Sequence, residues 1–259
     1  MSTETDTAER FAVDVAQHQM TVLRDDGLYR HLRFMRVAPN AKTGKLERGS
    51  TYWFELVTWP GHLTITGDCG TYTLARLEDM FEFFRGTRIN PQYWAEKVRG
   101  AVQLSVYSPE RFEQFAKEAA AEAEKDYPGV TAAVAEEIFG DDSQWSTEYE
   151  DGAREALRDF SYGDTYYASC TCGERSADGL TYSDAEAWRV AHRLAGKLGH
   201  ATATTGIEGF RFSDSWEWDL TDYDWQFLWC CHAIQWGIGQ YDGNAAPAVE
   251  TVAVAGGAV

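Results

Sequence analysis

Residues 51–74 read TYWFELVTWPGHLTITGDCGTYTL, and this stretch decides the fold class. Residues 51–59 are dense in aromatic and β-branched side chains, the composition of a half-buried strand. Pro60-Gly61 is a turn pair. Residues 63–66 alternate apolar and polar with a period of two. Gly67-Asp68-Cys69-Gly70 then turns the chain, and residues 71–74 resume the alternation. Leu63, Ile65, Tyr72 and Leu74 would share one sheet face. Upstream, residues 28–35 form a further strand, separated from the first by a loop holding Pro39, Asn40, Lys42, Gly44 and Gly49. Short connections favour pairing of sequential strands, so the four form an antiparallel meander.

Beyond Ala75 the apolar period becomes helical. Residues 78–85 present Met80, Phe81, Phe83 and Phe84 and stop at Gly86. Asn90-Pro91 has the order of an N-cap followed by proline, and that helix is expected to reach Gly100. Ser108-Pro109 repeats the signal and opens a longer acidic helix. Further helices are expected over 130–139 and 148–160, then one opened by Ser183 and Glu186 at capping-box spacing and ended by Gly199. Residues 161–182 show little periodicity. Residues 221–239, opened by Thr221 and Asp224, carry apolar side chains on almost every face, as a buried helix does.

The expected fold class is therefore α+β: an N-terminal four-stranded antiparallel meander packed against several helices, with a buried C-terminal helix. Residues 1–10 are expected to be disordered and 11–241 to form a single domain, with the sheet in 28–76 and mainly helix in 77–241. Residues 242–259, rich in Ala, Gly and Val, are expected to be a disordered tail.

Composition bounds the function. Of 259 residues 44% are hydrophobic and 14% aromatic, with ten Trp, enough to offset chain entropy and exclude a disordered protein. No apolar run nears the roughly 18 residues of a membrane span, so no membrane partner is expected. Residues 1–10 are polar and acidic, unlike a signal peptide. Five cysteines are too few for a disulfide framework, which makes a reducing, cytoplasmic setting the expectation.

Charge is divided unevenly. Residues 1–105 hold 13 basic and 13 acidic side chains, whereas the remainder holds 10 and 28, which is the whole net charge of −18. Glu110, Glu113, Glu118, Glu122, Glu136, Glu137, Asp141 and Asp142 lie in the densest stretch and are the candidate partner-binding residues. Such a surface either keeps the protein soluble or offers a phosphate-like array to a basic groove. In both cases it repels nucleic acid.

Other chemistry is weaker. Arg30, Arg33, Trp53, Trp59 and Asp68 form an alternative ligand-binding set of the arginine-aromatic kind, with Arg30 and Arg36 on one strand face by parity and Arg33 on the other. Asp68 is equally what a Gly-bounded hairpin turn requires. Cys170 and Cys172 precede His192 and His200, but one pair is too tight and the other too wide for the usual zinc spacing, so no metal and no cofactor are expected. Cys230 and Cys231 sit in the most apolar helix, where burial makes them small hydrophobes rather than nucleophiles. No nucleotide-loop, nucleophile-elbow or zinc-protease motif occurs, so no catalytic residue is assigned.

Several strings resemble a group of uncharacterised bacteriophage and prophage proteins. They are Trp59-Pro-Gly61, Thr66-Gly-Asp68 with Gly70, Asp79-Met-Phe81 with Phe83-Phe84, Asn90-Pro91 with Trp94, Phe227-Leu-Trp-Cys-Cys231, Trp236-Gly237 and Gln240-Tyr-Asp242. The resemblance covers about 24–100 and 223–242. It implies a phage-encoded accessory protein in the bacterial cytoplasm and carries over no functional residue. The resulting expectation is a non-catalytic binding protein, with a possible counter-defence role, presenting acidic helices to a host protein with a basic groove. The alternatives are a nucleotide or small-molecule pocket beside the sheet, with or without catalysis, and a scaffold protein.

Overall fold

The computed structural model describes residues 3–86, 88–195 and 203–243. The fold is α+β. Where one domain was expected, the chain forms two compact units: residues 1–106 with 223–259, and Tyr107–Asp222. The first unit is discontinuous because its last helix is supplied from the far end of the sequence. β7 (Ser105–Tyr107) and β10 (Thr221–Tyr223) pair as a two-stranded ribbon.

Unit 1 contains an antiparallel sheet of six strands in sequential order: β1 (His18–Asp26), β2 (Tyr29–Pro39), β3 (Leu46–Trp59), β4 (His62–Gly67), β5 (Gly70–Ala75) and β6 (Val98–Arg99). The four expected strands are β2 to β5. Two were missed. β1 alternates only briefly, at Met20 and Val22, and its clearer signal is the two-residue Gly27-Leu28 hairpin between Asp26 and Tyr29, with Gly27 at φ +62°. β6 takes residues assigned to the helix after Asn90, which ends at Ala95.

One face of this sheet is predominantly apolar, with Arg30 and Thr58 as its buried polar residues. Leu32 lies opposite Leu56, Phe34 opposite Phe54, Leu56 opposite Ile65 and Ile65 opposite Tyr72, all buried. Two short helices, α2 (Met80–Phe84) and α3 (Pro91–Ala95), add Phe81, Phe84 and Trp94 to the same core. Each starts with a side-chain cap: Asp79 accepts from the Phe81 N–H and Asn90 from the Tyr93 N–H.

The helix that covers the face is α8 (Trp225–Gly243), starting four residues later than expected because Thr221 belongs to β10. Asp224 caps it, accepting from the Gln226 N–H. Trp229 and Trp236 meet Phe54 edge-on with ring centroids 5.7 and 6.2 Å apart. Gly237 makes the approach possible. A Cβ there would lie 2.8 Å from Leu56 Cδ1 and 3.1 Å from the Phe34 ring.

Residues 3–10 are helical rather than disordered: α1 spans Thr3–Asp14. Thr7, Phe11 and Val15 recur every four residues and are buried. Phe11 meets Trp229 at 5.1 Å, Trp229 Nε1 donates to Asp14, and Arg10 lies 4.2 Å over the Trp225 ring. Polar composition hid this narrow stripe. The expected tail falls outside the described residues except for 242–243, which end α8.

Unit 2 holds α4 (Pro109–Ala123), α5 (Val130–Glu137) and α6 (Glu150–Asp159), which share a core of Phe112, Ala116, Val134, Ile138, Leu157 and Phe160 with neighbours. Ser108 caps α4 by accepting from the Arg111 N–H, as its sequence signal indicated. Residues 162–169, read as irregular, are strand β8 (Tyr162–Ser169), paired antiparallel with β9 (Thr204–Phe210). Between them runs α7 (Tyr182–Ala195). Its cap is Thr181, whose hydroxyl accepts from the Asp184 N–H and donates to the Asp184 carboxylate, two residues before the expected box. The expected stop at Gly199 lies outside the described residues.

Gly237→Ala should destabilise unit 1 by about 1–3 kcal/mol, since both Leu56 and Phe34 are fully buried and have nowhere to move. Denaturant melts of the variant and the parent check this. An alanine at Gly239, where nothing lies within 4 Å, is the matched control.

Candidate functional site

The alternative ligand set is not gathered by the fold. Arg30 faces the buried side of the sheet, where its guanidinium makes two 2.9 Å bonds to Asp79 and lies 4.6 Å over the Phe81 ring. Arg33 is on the other face, bonded to Glu55 at 2.6 Å, and His31 Nε2 lies 2.6 Å from the second Glu55 oxygen. Arg36, at the far end of β2, bonds Gln17 and so does not join Arg30 in a site. Trp59 stacks on His62 at the β3–β4 hairpin, whereas Trp53 and Asp68 are at the opposite end of those strands.

Asp68 has a structural task. Its carboxylate accepts from the Tyr52 N–H at 2.6 Å, and its own N–H donates to the Trp53 carbonyl. Tyr52 sits at φ +56°, a left-handed conformation that costs a tyrosine free energy. The ring is held by stacking on Trp229 and by a bond from Arg10 to its hydroxyl. Two buried thiols of unit 1 resist ionisation. Burial pushes Cys69 up to about 12, and Cys230 is raised well above its ordinary value, again chiefly by burial.

The candidate carboxylates are all exposed or half-buried within unit 2. Glu110, Gln114, Glu118 and Glu122 follow one i, i+4 row of α4, at about 6 Å per step. Gln114 donates to Glu118, and Ser108 to Glu110. Glu136 and Glu137 lie on α5, and Asp141 and Asp142 on the turn after it. Glu113 pairs with Lys117. The other seven make no ion pair among the described residues, and Arg154, Arg158, Arg175, Arg189 and Arg211 are each matched with carboxylates elsewhere in the unit. Glu113, Asp141 and Glu148 also line an open hollow of about 480 Å³ with Phe139 and Trp145. This pairs carboxylates with aromatic surface, a combination that suits an ammonium or guanidinium group.

The fold also joins residues that spacing alone kept apart. Cys170 and Cys172 stand on the turn after β8, and His192 of α7 reaches the same place. His192 Nε2 is 3.3 Å from Cys172 Sγ, so that histidine is no unrelated surface residue. His200 lies outside the described residues. No family model, curated protein or solved structure matches this chain. The quoted phage-like strings all fall in unit 1.

Two carboxylates tie unit 1 to pH. The bonds from His31 and Arg33 hold Glu55 below the usual carboxylate range despite its burial, and Arg30 with the Phe81 N–H does the same for Asp79. Their stabilisation is complete above the unfolded carboxylate range, about pH 4, and disappears as pH falls through the depressed folded values. The Glu55→Gln, Asp79→Asn double variant should be less stable than the parent at neutral pH and lose less stability on acidification, as read from thermal midpoints across the range. Asp68→Ala should cost about 1–3 kcal/mol by stripping the Tyr52 N–H of its acceptor.

Proposed function

We propose that this chain is a non-catalytic binding protein whose second unit docks on a basic partner through its acidic helices. The observation that carries the reading is the row Glu110, Glu118 and Glu122 on α4 together with Glu136, Glu137, Asp141 and Asp142, none of them matched by a cation among the described residues. The unit contains 25 acidic and 10 basic residues. The acidic hollow beside Phe139 and Trp145 would take a lysine or arginine side chain.

Magnitudes decide how far the reading goes. Three carboxylates over about 18 Å of helix are several-fold sparser than duplex DNA, which carries about one charge per 1.7 Å. The α4 row alone therefore supports salt-sensitive docking, and imitation of nucleic acid needs the carboxylates of α5 and its turn as well. Each exposed pair is worth about 0–1 kcal/mol, so affinity would come from several acting together and on-rate would respond most. The phage-like strings support a bacterial cytoplasm as the setting and interference with a nucleic-acid-handling host protein as the purpose.

The test is retention of bacterial proteins on the immobilised chain. A specific partner should be held at low ionic strength and released well below molar salt, where the Debye length has fallen to about 3 Å. The quadruple variant Glu118→Gln, Glu122→Gln, Glu136→Gln, Asp141→Asn should retain the same partner about tenfold less well. Retention that ignores both salt and the four substitutions would overturn the proposal.

A further inference from the structure

The lobe formed by β8, the turn after it, α7 and β9 has no hydrophobic cluster of its own among the described residues. The unit's apolar core is built from α4, α5 and α6, with Phe210 at the end of β9, Phe212 and Leu220. The buried side chains of the lobe itself are small: Ala168, Cys170, Ser176, Ala185 and Ala203. Helix α7 has fourteen residues and one buried side chain, Ala185. Val190 and Leu194 are 46% and 82% exposed. Polar contacts hold the helix's first half, where Glu186 accepts from Thr205 and Arg189, and Tyr166 meets the ring of Tyr182. Small folded elements without a core need a covalent or metal staple.

At the other end of α7 stands the cluster suited to that task. One ligand atom each from Cys170, Cys172 and His192 lies within 4.8 Å of the other two. The turn that presents the thiols is well defined: the Gly173 N–H donates to the Cys170 carbonyl, the Cys170 N–H to the Glu174 carbonyl, and Gly173 takes φ +95°. The imidazole is fixed in orientation too. Trp188, one turn earlier on α7, stacks on it at 4.5 Å and 6°. Glu174 lies 3.4 Å from Nδ1, which leaves Nε2 as the atom facing the sulfurs. A carboxylate on the far nitrogen of a histidine is the usual support for a metal-ligating imidazole.

We infer that Cys170, Cys172 and His192 bind one zinc ion, which clamps the last turn of α7 to the turn after β8 in place of an apolar core. Two thiolates and an imidazole form a borderline-soft set suited to a divalent d¹⁰ ion. Binding releases the two thiol protons, and the two thiolate charges then neutralise the dication. The fourth position is left to water. The clamp is independent of the acidic docking surface, which lies on α4 and α5.

The experiment uses the full chain, purified without chelator. Metal analysis should find about one zinc per chain, and titration of the metal-free protein with cobalt(II) alone should develop a thiolate-to-cobalt charge-transfer band. Cys172→Ser and His192→Ala should abolish the band, and Glu174→Gln should weaken binding about tenfold. Removing the metal from the parent chain should speed amide exchange across 182–195 about tenfold or more while leaving α4 to α6 protected, a readout that does not depend on the variants folding. A folded parent without the cobalt band would overturn the inference. So would metal content unchanged by either ligand substitution, thiols at 170 and 172 found joined to each other, or exchange in α7 indifferent to chelation.

Discussion

A sheet with one largely apolar face has to be covered, and here a single helix does it through a contact that admits no side chain. Phe34, Phe54, Leu56, Ile65 and Tyr72 project from four adjacent strands toward α8. Gly237 lets the helix backbone settle against Leu56 and Phe34, and Trp229 and Trp236 close around the edges of Phe54. Other features of unit 1 follow from that seating. The αL turn at Tyr52 is held because its ring stacks on Trp229, and Asp68 bonds the backbone there. Helix α1 docks on α8, with Phe11 meeting Trp229 and Trp236 edge-on and Arg10 lying over the Trp225 ring. Even the buried Arg30–Asp79 pair sits in the ring environment of Phe81 and Tyr241, where α2 meets the C-terminal turns of α8.

Unit 2 is stabilised in two ways. Its helices share aromatic and aliphatic side chains in the ordinary manner, with Phe112, Phe160, Phe210 and Phe212 at the centre. Its β8–α7–β9 lobe buries alanines, each worth about one methyl group of transfer free energy, against an ordering cost of about 1–2 kcal/mol per residue. The charge burden runs alongside this difference. Five arginines of the unit pair with carboxylates near β8, β9, α6 and α7, whereas Glu113 is the one candidate carboxylate of α4 and α5 in an ion pair among the described residues. Acidity is therefore concentrated where the packing is firm enough to hold it in a fixed array.

Much of the fold was legible because its signals are local. The alternation of Leu63, Ile65, Tyr72 and Leu74, the Pro60-Gly61 turn, and the caps at Asn90 and Ser108 each lie within a few residues of what they specify. The all-round apolar helix announced its burial by composition. What escaped depends on distant partners. Tyr166 and Tyr167 find their strand partners about forty residues on, past α7, and Phe11 is ordered by a tryptophan more than two hundred residues away. Two compact units were read as one domain because no Pro- or Gly-rich linker marks either crossing. For the site, the charge division was visible at once, whereas the meeting of His192 with Cys170 and Cys172 was not. Ligand-spacing rules assume ligands on one short motif, and this trio is assembled by a helix folding back on a strand.

The discontinuity of unit 1 has a consequence for synthesis on the ribosome. The six strands emerge first, and their aromatic face then waits, uncovered, while Tyr107–Asp222 is translated, a delay on the order of ten seconds. Only when Trp225 to Gly243 leaves the exit tunnel can the sheet be sealed. The inserted unit, contiguous in sequence, can finish folding before its host does. A nascent chain of this design is therefore most vulnerable to aggregation and proteolysis midway through translation, and chaperones that read exposed aromatic strands would meet it there.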